Sequence, residues 1–151
     1  MQTTYQLENE LMNEAYTELK LHQSFPSELR EKLTKTLGER FINGLELADT
    51  RKVRRYDFNP SGRMVWVVQG RKDEYQVIPE IPFCYCDDYY FRVMEKKRGL
   101  CYHIIAQRIA EALDQYEKIA KGDIEYSSIT NRWRAVDKQE KNSADATYSE
   151  I

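Results

Sequence analysis

The hydrophobic positions of residues 1–50 recur at intervals of three or four, the spacing of amphipathic helices. The first apolar stripe comprises Leu7, Leu11, Met12, Ala15, Leu19 and Leu21. The second comprises Leu29, Leu33, Leu37, Phe41, Ile42, Leu45 and Leu47. Residues 24–27 separate the two stripes, and Ser27 is the expected N-cap of the second helix. The pattern therefore predicts a helical pair, in which Gly38 and Gly44 weaken, bend or end the second helix.

The middle of the chain changes from helical spacing to alternation of apolar and polar residues. Three β-rich runs cover residues 53–58, 64–68 and 75–78. The first turn, Asn59–Gly62, has Pro and Gly where a type I turn favours them, and Gly70–Asp73 makes a second turn. Pro79 and Pro82 end the third run. We therefore expect a three-stranded antiparallel β-meander.

Helical spacing returns after the meander. A short helix is expected from Asp87 or Asp88 to Met94, and a longer one from about Cys101 to Lys121. Residues 137–151 carry too little apolar surface to offset the entropy of ordering, which predicts disorder. The polar stretch begins earlier, after Tyr126, and it contains Trp133. This tryptophan either docks back on the core or contacts a partner, and docking back is favoured.

Size and charge narrow the class of protein. A chain of 151 residues suits one domain with a real core, and a net charge of -2 excludes a globally basic nucleic-acid binder. No apolar run approaches the ~18 residues that span a bilayer, and the polar start lacks the apolar region of a secretory signal. We therefore expect no membrane association and an intracellular location, in the nucleus of a eukaryote or the cytoplasm or nucleoid of a prokaryote.

The near-neutral total hides an uneven distribution of charge. Residues 1–50 carry 5 basic and 9 acidic side chains, and residues 100–151 carry 7 and 9. Residues 51–99 between them carry 11 basic and 7 acidic side chains. The middle of the chain is therefore basic, and both of its flanks are acidic.

All three cysteines fall into two short pairs. Cys84 and Cys86 lie two residues apart, and after fourteen residues Cys101 and His103 form the second pair. Three thiolates and one imidazole are the ligand number and type of tetrahedral Zn²⁺. In a flat strand, Cys84 and Cys86 would lie too far apart for ideal chelation, so the chain must turn sharply there. A helix that begins at the second pair favours an anionic metal–thiolate cluster, because its N-terminus carries free N–H groups and the positive end of the helix dipole. The basic residues 96–98 are expected to compensate its negative charge.

Four protein ligands predict one structural zinc ion, because a catalytic zinc keeps an open coordination position. The alternative is three buried cysteines and a core histidine. Metal binding is favoured because the two pairs use every cysteine, and His22 remains an ordinary histidine. A redox role lacks the usual CxxC spacing. Since no phosphate loop, nucleophile elbow or HExxH motif is present, we expect a protein without enzymatic activity.

This CxC and CxH arrangement, after a β-meander and before a helix, resembles the SWIM zinc finger. The resemblance covers roughly residues 52–120, with ligand positions at Cys84, Cys86, Cys101 and His103. It implies an α+β fold: an N-terminal helical pair, a three-stranded antiparallel meander and a Cys₃His site leading into a C-terminal helix. The expected division is 1–50 helical region, 51–122 SWIM-type finger with its C-terminal helix, and 123–151 polar tail.

A short chain with one SWIM finger is most similar to the SWIM subunits of Shu-type complexes. That resemblance implies an adaptor in homologous recombination, which pairs with a RecA-family recombinase paralogue and promotes recombinase filaments on single-stranded DNA. A transposase relic or a ubiquitin-ligase module is the least favoured alternative, because the sequence shows no catalytic carboxylate cluster or ATPase motif.

Direct nucleic-acid binding is the other hypothesis. The meander carries basic residues interleaved with aromatic ones, which can attract phosphates and stack on bases. The candidate contacts are Arg51, Lys52, Arg54, Arg55, Arg63, Arg71 and Lys72. A solvated β face explains the same pattern and is favoured. Successive residues of a strand point to opposite faces of the sheet, so fewer of these basic side chains share one face than the sequence suggests.

Overall fold

In a computed structural model, which describes residues 3–86 and 100–133, four helices pack on one face of a five-stranded sheet and a short C-terminal helix packs on the other. The helices are α1 (Thr4–His22), α2 (Ser27–Leu37), α3 (Glu39–Asp49), α4 (Tyr102–Leu113) and α5 (Tyr126–Asn131). The strands are β1 (Val53–Asn59), β2 (Arg63–Gln69), β3 (Glu74–Ile78), β4 (Phe83–Cys84) and β5 (Glu117–Gly122). The predicted α+β class is confirmed. The expected short helix after Asp87 and the expected disorder of 137–151 fall outside the described residues.

The N-terminal helical region contains three helices where a pair was predicted. Gly38 separates α2 from α3 with a φ of 63°, in the left-handed region that glycine adopts without strain. Gly44 stays inside α3, where a Cβ atom would lie 2.8 Å from the Ile105 side chain of α4. The residue before α2 is Pro26, and Ser27 is the first helical residue with no side-chain capping bond. Gly38 therefore ends the second helix, which is one of the predicted effects, whereas Gly44 does not end α3 and instead allows its close contact with α4.

The core-facing side of α1 differs from the predicted stripe at both ends. Leu7 is 51% exposed and Leu21 is 73% exposed, whereas Glu8 is 4% exposed. Glu8 takes the inward position because it continues the i, i+3, i+4 row of Leu11 and Met12. An acidic side chain therefore occupies a buried position in the first turns of α1.

The predicted meander forms the centre of the sheet, whose order is β4-β3-β2-β1-β5. Its antiparallel register pairs Val53 with Val68 and Trp66 with Val77. These inward residues face α4, which also packs closely against α3 and α1. The first ligand pair begins in β4, where Cys84 pairs with Val77 of β3. The meander thus carries the first cysteine to the sheet face covered by α4.

The long C-terminal helix predicted as far as Lys121 is wrong beyond Leu113. Asp114 adopts a left-handed φ of 56° and ends α4, and β5 then pairs in parallel with β1. Helical spacing continues through Tyr116 and Ala120, which is why the pattern favoured a longer helix. Pairing with β5 satisfies the backbone of β1, which would otherwise be a sheet edge.

The opposite face of the sheet has a second, smaller core. Trp133 is 2% exposed there, and its ring centroid lies 4.6 Å from that of Tyr56. Its carbonyl also accepts the Gln76 N–H of β3 at 3.3 Å. The expectation that Trp133 docks back on the domain is confirmed. Among the described residues, no helix is both long and apolar enough to cross a membrane.

Replacing Trp133 by alanine should lower the free energy of unfolding by about 3–5 kcal/mol, because it empties a fully packed aromatic site. Urea denaturation followed by circular dichroism measures this loss. Ile124, which is 95% exposed, is the control, and Ile124→Ala should change stability by no more than about 0.5 kcal/mol. Equal stabilities of the two variants would contradict the docking of Trp133.

Candidate metal centre

The two ligand pairs meet between the end of the sheet and the start of α4. Cys84 ends β4, and Cys86 follows two residues later, so the short strand brings the first pair under the helix. Cys101 is the N-cap residue of α4 in extended conformation, and His103 lies in the first turn. The predicted placement of the second pair at a helix start is therefore correct.

The structure brings all four sequence-predicted ligands together. Their donor atoms lie within 4.8 Å of one another, and every one of the four residues is buried. None of these three cysteines forms a disulfide. The sulfur of Cys84 lies 3.7 Å from Nδ1 of His103. A fourteen-residue separation in sequence thus closes into one small cluster.

The donor set fits tetrahedral zinc in type and in spacing. Zn–S distances of about 2.3 Å and Zn–N distances of about 2.0 Å place sulfur and nitrogen about 3.5 Å apart at tetrahedral angles. The observed separation of 3.7 Å between Cys84 Sγ and His103 Nδ1 agrees with this value. Cys84, Cys86, Cys101 and His103 would hold the ion, which would supply the positive charge that three buried thiolates require. The cluster therefore supports zinc binding.

The electrostatics of the cluster show why a cation belongs there. Burial raises the pKa of the Cys84 thiol well above its usual value, and the Cys101 and Cys86 thiols beside it raise that pKa further. The pKa of the Cys86 thiol is also raised, first by its hydrogen bond with Cys101, and burial adds to this shift. Without a cation these buried thiols favour their neutral forms. Metal binding must therefore release protons.

The histidine ligand is positioned by packing on its far side. Its ring lies against Tyr75 and Tyr102, with centroid distances of 5.2 and 4.1 Å. A Cβ atom built on Gly70 would lie 2.9 Å from Nε2 of His103. That nitrogen is buried and has no hydrogen-bond partner among the described residues. The absence of a side chain at Gly70 therefore leaves the ring room to turn Nδ1 toward the thiols.

Gly70 is a site residue that the sequence pattern did not reveal. Its neighbours Arg71, Lys72 and Asp73 made it read as an ordinary turn glycine, and its N–H does donate to the Asp73 carbonyl at 2.7 Å. The sequence contains no signal that this turn lies against the histidine. The basic residues 96–98, expected to compensate the cluster charge, lie outside the described residues. His22 is 51% exposed and pairs with Glu18, as expected of an ordinary histidine.

The structure divides the basic candidate residues between the two ends of the sheet. Those at one end are exposed and lie just before β1 or on the β2–β3 turn. These two segments are neighbours, because the Gln69 N–H donates to the Lys52 carbonyl at 2.9 Å. They are Arg51, Lys52, Arg71 and Lys72. Arg63 lies at the other end, with its guanidinium 4.5 Å from the ring centroid of Tyr126.

The remaining two basic candidates are engaged with acidic side chains. Arg54 pairs with Glu74 at 3.1 Å and with Glu117 at 3.3 Å. Arg55 points to the opposite face of the sheet, where it contacts Asp57 at 2.8 Å. The seven candidates therefore form no single patch, and the densest group is the exposed one beside the turn that contains Gly70.

Two known proteins named for a SWIM zinc finger are similar to this chain. Over 86 residues the chain is 35% identical to the zinc finger SWIM domain-containing protein 7 homolog of Dictyostelium discoideum. That match covers 56% of this chain and 55% of the Dictyostelium protein. The chain is also 26% identical to the mouse zinc finger SWIM domain-containing protein 7 over 122 residues, 80% of each chain.

No family model and no solved structure matches the chain. The two relatives and the Cys₃His cluster together confirm the resemblance to SWIM zinc-finger proteins.

Either Cys101→Ser or His103→Ala should abolish zinc binding and much of the fold, because metal binding and folding are coupled in such sites. Elemental analysis of the purified protein should find about one zinc per chain in the wild type. His22→Ala, which alters an exposed histidine, should keep the full content. Undiminished zinc in the two ligand variants would refute the ligand assignment.

Gly70→Ala should weaken zinc binding while leaving all four ligands in place. The added methyl group meets the His103 ring, so the ring must shift away from the thiols or the β2–β3 turn must move. Competition with a chromophoric chelator should show an affinity lower by about tenfold, the scale of supporting residues at metal sites. Gly122→Ala is the control for a glycine-to-alanine replacement, since its φ of -85° suits alanine and a Cβ atom there meets only Ile124, at an ordinary 3.8 Å. Equal affinities for the two variants would show that Gly70 does not set the ring position.

Proposed function

We propose that the chain is a non-enzymatic, zinc-binding adaptor subunit in homologous recombination DNA repair. In this proposal it pairs with a RecA-family recombinase paralogue and promotes assembly of recombinase filaments on single-stranded DNA. The observation that carries the proposal is the closed Cys₃His cluster, which joins the SWIM-like ligand pattern to a buried centre. The two relatives, both named for a SWIM zinc finger, support the zinc-finger part.

A structural role for the metal follows from the ligand set. A catalytic zinc has three protein ligands and an open position for water or substrate, whereas four protein donors complete a tetrahedron. All four residues are buried as well, so the cluster offers substrate no direct approach. One zinc ion per chain would join β4 to the start of α4. This arrangement suits an adaptor whose zinc maintains the shape of a binding surface.

Purification of the tagged full chain from its native cell tests the partner. Mass spectrometry should identify a RecA-fold subunit in near-equal amount, and His103→Ala should lose that subunit together with zinc. His22→Ala should retain both. A stable wild-type monomer that co-purifies with no RecA-fold protein would contradict the adaptor role.

Direct binding of nucleic acid is a second candidate. It is supported by the four exposed basic residues gathered at one end of the sheet, Arg51, Lys52, Arg71 and Lys72. Side chains grouped in this way can contact successive phosphates of a single strand. The ion pairs of Arg54 and Arg55 with carboxylates weaken the same hypothesis for the strand surfaces.

Fluorescence anisotropy with a labelled single-stranded oligonucleotide tests this candidate. The Arg71→Glu/Lys72→Glu double variant should bind more weakly than the wild type. Its salt dependence should be shallower by roughly 0.7 in log–log slope for each phosphate that the variant no longer neutralises. Arg63→Glu, at the other end of the sheet, should bind as the wild type does. Unchanged binding by the double variant, or no binding by the wild type at low salt, would reject a direct interaction with the strand.

A further inference from the structure

A buried ion pair joins two N-terminal helices to the backbone next to the metal centre. Glu8 of α1 and Arg40 of α3 lie 32 residues apart, and their side chains are 5% and 11% exposed. Arg40 donates from both terminal nitrogens to the two carboxylate oxygens of Glu8, at 2.8 and 2.7 Å. The two charges therefore meet in a bidentate pair with little access to water.

The same pair also holds both backbone polar groups of Leu100. The Leu100 N–H donates to Oε1 of Glu8 at 3.0 Å, and its carbonyl accepts from Arg40 at 2.6 Å. Leu100 is itself 1% exposed. We call this set of contacts the Leu100 clamp.

The clamp holds the backbone at the residue immediately before the second ligand pair. Cys101 follows Leu100 in the chain, and its carbonyl accepts the Ile105 N–H of α4 at 3.3 Å. His103 lies two residues further, in the first turn of that helix. The backbone position of Leu100 therefore governs where two of the four donor atoms sit.

A buried ion pair needs a specific reason, because desolvation of two charges can cost more than their attraction returns. Here the pair provides hydrogen-bond partners for two buried backbone groups, which apolar side chains of similar size could not do. A neutral amide at position 8 could not accept from Leu100 and from both Arg40 nitrogens at once. The carboxylate of Glu8 is therefore suited to accept from the Leu100 N–H, and the guanidinium of Arg40 to donate to the Leu100 carbonyl.

We propose that Glu8 and Arg40 are positioning residues for the metal centre, acting through Leu100 to fix Cys101 and His103. This inference rests on the zinc site of the proposed function. Because coupling free energies are reciprocal, zinc binding also stabilises the packing of α1 and α3 against α4. The N-terminal helices and the zinc finger therefore act as one metal-dependent unit.

Two charge-removing variants separate positioning from simple electrostatics. Glu8→Gln leaves Arg40 as an unpaired cation near an anionic zinc–thiolate cluster, which by charge alone would tighten zinc binding. Arg40→Met removes a positive charge from the same place, which by charge alone would weaken zinc binding. Disruption of the clamp weakens binding in both variants, so the sign of the Glu8→Gln effect distinguishes the two explanations.

The measurement is zinc affinity of the full chain by competition with a chromophoric chelator. We expect Glu8→Gln and Arg40→Met each to bind zinc about tenfold or more weakly. Their cobalt-substituted forms should show altered ligand-field bands, a signature of changed ligand geometry. Val67→Ala is the stability-matched control, since Val67 is buried in the core on the opposite sheet face. It should keep both the affinity and the spectrum.

Wild-type affinity in Glu8→Gln, or an equal loss in Val67→Ala, would overturn the positioning role and leave the zinc site intact. A wild-type chain that binds no zinc would instead overturn the metal site and with it the proposed function. Should either variant fail to fold, hydrogen exchange of the zinc-loaded wild type decides, because the Leu100 N–H should be among the slowest to exchange. Rapid exchange of that N–H would overturn the clamp.

Discussion

Three thiols packed beside one imidazole impose the main constraint on this molecule. Thiolates are the form that binds zinc, yet burial and mutual proximity oppose their ionisation, so the cluster needs a cation to be stable in its charged form. Its four residues come from β4, from the segment after it, and from the start of α4. The metal would therefore bond the end of the sheet to the helix that covers it.

Several elements around the cluster contact or position its four ligand residues. The meander carries the first cysteine to the helix-covered face, and the β2–β3 turn brings Gly70 against the histidine ring. From the other side, the Leu100 clamp ties α1 and α3 to the start of α4. The second core around Trp133 and Phe58 lies on the far face of the sheet and makes no part of the cluster. Mutations in this second core can therefore lower stability without removing or contacting a zinc ligand.

Local patterns predicted the elements that depend on local physics. Alternation and turn residues located β1, β2 and β3. The four ligands could be identified because the two closely spaced pairs use every cysteine of the chain. Elements that depend on tertiary partners were missed. The pattern predicts helix for residues 117–121 because their spacing allows either structure, and pairing with the otherwise free edge of β1 selects the strand.

The supporting residues of the site were missed for a similar reason. Glu8 looks like an ordinary surface carboxylate unless its neighbours at Leu11 and Met12 are used to locate the buried face of α1. Even then, its partner Arg40 and its target Leu100 lie 32 and 92 residues away. Gly70 looks like any turn glycine. Such contacts arise from the assembled fold, and no short-range pattern in a single sequence encodes them.

X-ray absorption spectroscopy of the zinc in the purified, full-length protein tests the central claim most directly. The claim predicts a first shell of three sulfur atoms at about 2.3 Å and one nitrogen at about 2.0 Å, with the outer-shell scattering of a single imidazole. A shell with oxygen ligands, or with fewer than three sulfur atoms, would contradict a closed Cys₃His centre.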